Sequence, residues 1–339
     1  MTTPQTPPNP EILGRMNQML TGYMVTQALY VVAKLGIADL VEAGPKEIAT
    51  LANEAGADPQ SLFRVMRALA SVGVFIEVAP RTFGSTPLAA QLSDRARGSL
   101  RNLAIMFGEE MYRAWGNALD SVKSGGPAFP EVFGAGHFEF LETHADAAKT
   151  FNAAMATSFM PRVSVLLEHE WSGVEIVVDI GGGNGALLCA LLDRHAHLRG
   201  VLLDRPHVAE EGRAQLTARG LIERCEVVGG DFFADVPENG DVYVLSRILH
   251  DWSDADCARI LAVCRRAMKP NARLFIIDDV LPEGNEPHPG KWIDLQMMVV
   301  LGGRERTEAD WRSLLSANGL TLSKVHSLGR SNMIEAITD

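Results

Sequence analysis

The sequence has no apolar run approaching the roughly 18–20 residues that cross a bilayer; its densest short stretch, Met297 to Leu301, fits a protein core. Cysteine is scarce, four in 339 residues, and Cys189, Cys225, Cys257 and Cys264 show no CxxC spacing. That is too few for a disulfide framework and the wrong pattern for a structural zinc site, so reduced, buried thiols are expected. Positive charge is in deficit, 31 basic against 42 acidic side chains, a formal net charge of −11. The deficit argues against a protein that coats nucleic acid or an anionic membrane. There is no internal repeat, and no biased segment beyond MTTPQTPPNP, which has neither the basic start nor the apolar stretch of a secretion signal. Residues 1–10 therefore read as a disordered arm, and the cytoplasm is the expected location. What remains is ordinary, with 47% hydrophobic and 22% charged residues. It suits a globular protein of two domains at about 150 residues each.

The front of the chain reads as helical. Met16, Met19, Leu20, Tyr23, Met24, Gln27, Ala28 and Val31 recur at spacings of three and four, predicting one amphipathic helix. Pro45 suits the first turn of a second helix that ends in glycine, and a third runs from Gln60 to Val72. Val74 to Val78, the turn at Pro80-Arg81 and the residues from Thr82 predict a strand pair, so residues 11–100 follow a winged-helix pattern. Such a pattern raises the possibility of a DNA-binding regulator that senses a small molecule. Pro45 to Arg97, however, holds six basic residues against five acidic ones, a thin balance for binding phosphates. Residues 101–170 are expected as a helical connecting region, broken at Ser124–Pro127 and rich in Phe and Met, bordering a pocket for a flat organic ligand.

From residue 171 to 339 strand, glycine turn and helix alternate, which predicts an α/β domain with a Rossmann-like, mostly parallel sheet covered by helices on both faces. The predicted strands include Glu175–Ile180, Val201–Leu203, Glu226–Val228, Val242–Leu245 and Arg273–Val280. Gly181, Gly183 and Gly185 sit between the first strand and its helix, where backbone N–H groups approach a ligand closely. With Ala186, Gly181 and Gly183 also satisfy the dinucleotide fingerprint, so a nicotinamide enzyme is a rival reading. Asp204, 19 residues past Gly185 and beside Arg205, is placed to accept bonds from a ribose. Asp179, just before the glycines, suits a cationic ammonium better than a pyrophosphate. Asp231 offers an acceptor for an adenine amine beside the aromatic wall of Phe232 and Phe233. Three carboxylates at three strand tips suit S-adenosyl-L-methionine. His250, past the fourth strand, has the ring and the unperturbed pKa near 6.5 that suit a general base.

The segments VVDIGGGNGALL, LLDRPHV, GGDFF, LSRILHDWSDADC and GGRERT resemble, in order, motifs of the class I S-adenosylmethionine-dependent small-molecule O-methyltransferases. These are the plant caffeate type and their bacterial natural-product tailoring relatives, and the resemblance covers nearly the whole chain. It implies that His250 is the catalytic histidine and that the front domain pairs two copies in a homodimer. It implies two glutamates flanking the histidine: Glu305 matches one, whereas the other is replaced by the shorter Asp278, followed by Asp279. Either Asp278 or Asp251 is left to orient the ring alongside Glu305. Where the plant enzymes carry a lysine near adenine, this chain has Ser246, followed by Arg247. Phe151, Asn152, Met155, Phe159, Met160, Met297 and Met298 are expected, by resemblance, to line or border the substrate pocket, closed by a partner's helix around Met16 to Tyr23. The substrate class implied is a hydroxylated aromatic or polycyclic metabolite, with no metal, nucleic acid or membrane involved. Some bacterial relatives decarboxylate or hydroxylate instead, and an intact His250 argues against that alternative.

Overall fold

The computed structural model describes residues 9–157, 159–328 and 331–338, with the side chains of 159–162 and 331 outside that description. The arm expected at residues 1–10 thus lies almost wholly outside the described residues. The chain divides into two compact units, Met1–Gly116 with Phe138–Thr157, and Asn117–His137 with Ser158–Asp339. The region 101–170, expected as one connecting segment, is shared between them. Within the first unit the helix Arg101–Gly108 packs on both Gly22–Lys34 and Ala145–Thr157. Within the second, Phe129 is fully buried and Ala128 N–H donates to the Val299 carbonyl at 2.8 Å, tying this stretch to the helix Gly290–Val300.

In the first unit the long N-terminal helix is two helices, Pro10–Leu20 and Gly22–Lys34. The break falls at Thr21, whose hydroxyl donates back to the Asn17 carbonyl at 2.8 Å, and the next helix begins on glycine, a poor helix former. The apolar stripe continues across the break and is exposed from Met16 to Met24, with Met19 62% and Leu20 65% exposed, before turning inward at Ala28, which packs on the core. The second expected helix starts at Ile48 rather than near Pro45, because Lys46 and Glu47 pair as a strand with Phe83 and Thr82. The helix Pro59–Ser71 is capped by Asp58, which accepts the Ser61 N–H at 2.7 Å. Strands Phe75–Ala79 and Thr82–Ser85 form the antiparallel wing. Of the six cations between Pro45 and Arg97, four are engaged internally: Lys46 on Glu54, Arg95 on Glu42, and Arg67 and Arg81 over the Phe63 ring.

The second unit is built on seven strands: β1 (Ile176–Ile180), β2 (Arg199–Asp204), β3 (Cys225–Gly229), β4 (Val242–Ser246), β5 (Arg273–Ile277), β6 (Leu320–Leu328) and β7 (Ser331–Thr338). Their spatial order is β6-β7-β5-β4-β1-β2-β3. β1 to β5 run parallel, and β7 and β6 close one edge as an antiparallel hairpin. Both faces are buried, as a parallel sheet requires. Val178, Tyr243 and Leu245 join one core with Ile260 and Trp311, while Val177, Val242 and Val244 join the other with Leu188 and Leu191. All four cysteines are free and buried. Among the described residues no helix is long and apolar enough to cross a membrane. The fifth strand ends at Ile277, not Val280, because Val280 and Leu281 leave the sheet to pair with Arg306 and Thr307. The order reverses between β1 and β4, which opens a crevice beyond their carboxyl ends, the place where ligands bind in such sheets.

Candidate active site

The loop after β1 carries three glycines in left-handed backbone, Gly181 (φ 69°), Gly183 (φ 59°) and Gly185 (φ 75°). Gly183 N–H donates to Asp204 Oδ2 at 2.8 Å, and Arg205 N–H donates to Asp204 Oδ1 at 2.7 Å. Asp204 at the tip of β2 therefore shapes the loop while keeping acceptor capacity on both oxygens. Burial outweighs these donors and raises its pKa. Asp179 lies fully buried in β1, and neither of its oxygens has a hydrogen-bond partner among the described residues. Burial, aided by the charge of Asp204, pushes its carboxyl up to about 7. An orphaned buried carboxylate beside a glycine loop is what a cationic amine would satisfy.

Asp231 stands exposed past β3, its Oδ1 accepting the Phe233 N–H at 2.9 Å. Phe232 and Phe233 meet the edge of Trp252, with centroids 6.2 and 4.8 Å apart, and form the aromatic wall. A Cβ on Gly181 would stand 2.5 Å from Ile248 Cδ1 and 3.6 Å from Phe232 Cε1, so the glycine loop, the aromatic wall and the segment after β4 converge. Gly181→Ala, strained by both φ and crowding, is expected to distort the loop and weaken about tenfold or more, by calorimetry, the binding of the S-adenosylmethionine that the sequence implies there.

The segment after β4 turns through Ser246 and Arg247 into a single turn of 3₁₀ helix, Leu249–Asp251. His250 is buried there, with Nδ1 2.8 Å from Glu305 Oε1 and Nε2 3.1 Å from Asp251 Oδ1. Of the two candidates for the second partner, Asp251 makes the contact. Asp278 is buried at the tip of β5 and hydrogen-bonds to nothing among the described residues. Its side chain is one methylene shorter than the glutamate of the plant pattern, and burial drives its pKa well above the carboxylate range. Burial and Arg247 pull the His250 pKa down, but Asp251, Asp278 and Glu305 outweigh them and the net shift is upward. Burial opposes ionisation of Glu305, yet its bonds to His250 and Arg247 prevail and hold its pKa below the usual value. Among the described residues no group of three or more His, Cys, Asp or Glu is arranged to hold a metal ion.

Three residues that sequence reasoning passed over build this turn. Arg306, fully buried, donates from Nη1 to the Leu249 carbonyl at 3.1 Å and from Nη2 to the Trp252 carbonyl at 3.3 Å, and is anchored on Asp254 at 2.7 Å. Gly303 lies against the same backbone, where a Cβ would come within 2.1 Å of the His250 carbonyl oxygen. Asp294 accepts the Glu305 N–H at 2.9 Å. Arg306 and Gly303 belong to the quoted GGRERT segment, but nothing local signals what they hold. Of the expected substrate residues, Met297 is buried and Met298 half-buried on the helix Gly290–Val300. Phe151 and Met155 are half-buried and Asn152 exposed on the helix Ala145–Thr157 of the first unit. The side chains of Phe159 and Met160 lie outside the described residues.

Residues 115–321 match the model of the O-methyltransferase domain, and residues 17–94 that of the O-methyltransferase dimerisation domain. The chain is 48% identical over 310 residues to the phenazine O-methyltransferase of Lysobacter antibioticus, covering 91% of each. It superposes on the crystal structure of LaPhzM with a TM-score of 0.93 at 45% identity, covering 97% of this chain and 99% of that one. The neocarzinostatin-pathway O-methyltransferase NcsB1, solved with S-adenosylmethionine and 2-hydroxy-5-methyl naphthoic acid, superposes with a TM-score of 0.85 at 30% identity, covering 93% and 96%. The chain therefore belongs to the O-methyltransferase family, as a bacterial natural-product type of S-adenosylmethionine-dependent enzyme.

Proposed function

We propose that the enzyme methylates a hydroxyl of an aromatic or polycyclic small molecule, a bacterial secondary metabolite, with His250 as general base. The buried His250–Glu305 pair beside Asp251, in the crevice next to the glycine loop, carries this reading. Asp179 would take the amine of the cofactor, Asp204 with Arg205 its ribose, and Asp231, Phe232, Phe233 and Ser246 its adenine. Gly181, Gly183 and Gly185 give it room. When bound, S-adenosylmethionine supplies an electrophilic methyl carbon for in-line displacement by the acceptor oxygen.

The residues of the chain then have two tasks. Alignment of acceptor and methyl carbon supplies roughly 7–11 kcal/mol in favourable cases. Proton removal adds about 10²–10⁴-fold. Glu305 holds Nδ1–H of His250, so Nε2 is the nitrogen that takes the hydroxyl proton, the acceptor replacing the Asp251 contact. Acceptor recognition is assigned to Phe151, Asn152, Met155, Phe159, Met160, Met297 and Met298, as the family resemblance implies. Homodimer formation is assigned to the outward apolar stripe of the first unit, supported by its match to a dimerisation domain.

The test is incubation with methyl-labelled cofactor and a panel of phenolic, phenazine and naphthoate acceptors, with their amine analogues, read by mass. Label is expected on hydroxyl acceptors. Because the His250 pKa is raised and only the neutral ring accepts a proton, kcat/KM should fall as pH drops through a value above 6.5. Label confined to amines, or appearing on no acceptor despite cofactor binding, overturns the proposal.

A further inference from the structure

Arg247 follows β4 with φ 59°, a left-handed backbone that a residue with a Cβ keeps only where its surroundings hold it. Its N–H donates to the Ile277 carbonyl of β5 at 3.0 Å. The side chain is only 15% exposed, and its guanidinium faces carboxylates: Nη2 is 3.1 Å from Glu305 Oε1, and Nη1 is 3.2 Å from Asp279 Oδ2 and 3.9 Å from Asp278 Oδ1. Glu305 Oε1 is therefore shared between Arg247 and His250 Nδ1. The groups that act on His250 are Asp251 on its own turn, Arg247 after β4, Asp278 after β5 and Glu305 before the strand Arg306–Thr307. Asp294 holds the Glu305 backbone, with Arg304 and Arg306 close to Asp294 in turn.

Three of these groups are carboxylates that favour a charged ring, and a base that is already charged cannot accept a proton. We propose that Arg247 is a positioning residue for methyl transfer, which fixes Glu305 and Asp279 and offsets part of the surrounding acidic charge, so that a larger share of His250 is neutral when turnover begins. This rests on the reading of His250 as the general base, and it gives Arg247 a role in proton transfer instead of the cofactor contact expected from its place after Ser246.

The experiment compares wild type with Arg247→Met and Arg247→Lys in two readouts. One is the pH profile of kcat/KM; the other is the ring titration of His250 by NMR on histidine-labelled protein, assigned by the signal missing in His250→Asn. In the methionine variant the titration should move up by about one unit, so that kcat/KM at pH 6 falls about tenfold against wild type and the gap narrows at higher pH. Lysine, which keeps the charge, should return the titration most of the way to its wild-type position. If the methionine variant fails to fold, Arg247→Gln, which removes the charge and keeps hydrogen-bonding groups, carries the same expectation. A titration that stays in place, or an equal loss at every pH, overturns the proposal. A wild-type acid limb that does not coincide with the His250 titration defeats the general-base reading instead, and the NMR shift still decides the effect of Arg247 on the ring.

Discussion

A His250→Asn variant is expected to lose about 10²–10⁴-fold in kcat while binding S-adenosylmethionine about as well as wild type. The split follows from geometry. His250 stands on the turn after β4 with its two nitrogens on Glu305 and Asp251, whereas the glycine loop is shaped by Asp204 and hydrogen-bonds to none of these groups. Calorimetry for the cofactor and single-turnover methyl transfer separate the two effects. Glu305→Gln should fall between wild type and His250→Asn, because an amide can still accept from Nδ1–H but no longer stabilises the charged ring. A His250 variant that keeps most of its turnover, or that loses cofactor affinity in parallel, removes the histidine from its assigned role.

Gly303→Ala should be nearly as damaging, although residue 303 has no side chain to take part in chemistry. The added Cβ would lie 2.1 Å from the His250 carbonyl oxygen, 2.4 Å from the Asp251 carbonyl carbon and 2.6 Å from the Trp252 nitrogen. All three are backbone atoms, so no rotamer change relieves the clash and the histidine turn itself must move. A displacement of about 1 Å at a catalytic group can cost about 10²-fold in rate, and overpacking a tight site costs about 1–3 kcal/mol of stability. Turnover and thermal melting check both, with Gly126→Ala as control, since a Cβ there would meet nothing closer than Ser124 Oγ at 3.8 Å. Full activity in Gly303→Ala would show that the turn tolerates displacement.

What was legible in the amino acids was whatever is encoded over short distances. The three glycines, the aspartates at the tips of β1 to β3 and the LHDW tetrapeptide each carry their signal within a few residues, and the structure sets them along one edge of the sheet. The ring partners of His250 were less accessible. Glu305, 55 positions away, was named only through the family resemblance, and only the path of the chain decides that Asp251, and not Asp278, is the second group on the ring. Arg306 reads as one more arginine in a charged motif until two carbonyls of the histidine turn are found on its guanidinium. The break at Thr21 was masked because the apolar spacing of Met16 to Val31 continues across it. The closing hairpin had a signal that went unread, the alternation in Leu320-Thr321-Leu322, which places Leu320 and Leu322 in the core with Thr321 outside.

Glu305 and Arg306 are consecutive, yet they grip the same turn by different parts, one by the imidazole and the other by its carbonyls. Adding or deleting one residue between Gly302 and Thr307 would bring a guanidinium to the place where the ring needs a carboxylate. That geometry fixes the length of the segment and also the identity of Gly303, Glu305 and Arg306. The six residues from Gly302 to Thr307 thus act as a ruler, setting the distance between the group that holds the imidazole and the group that holds its backbone.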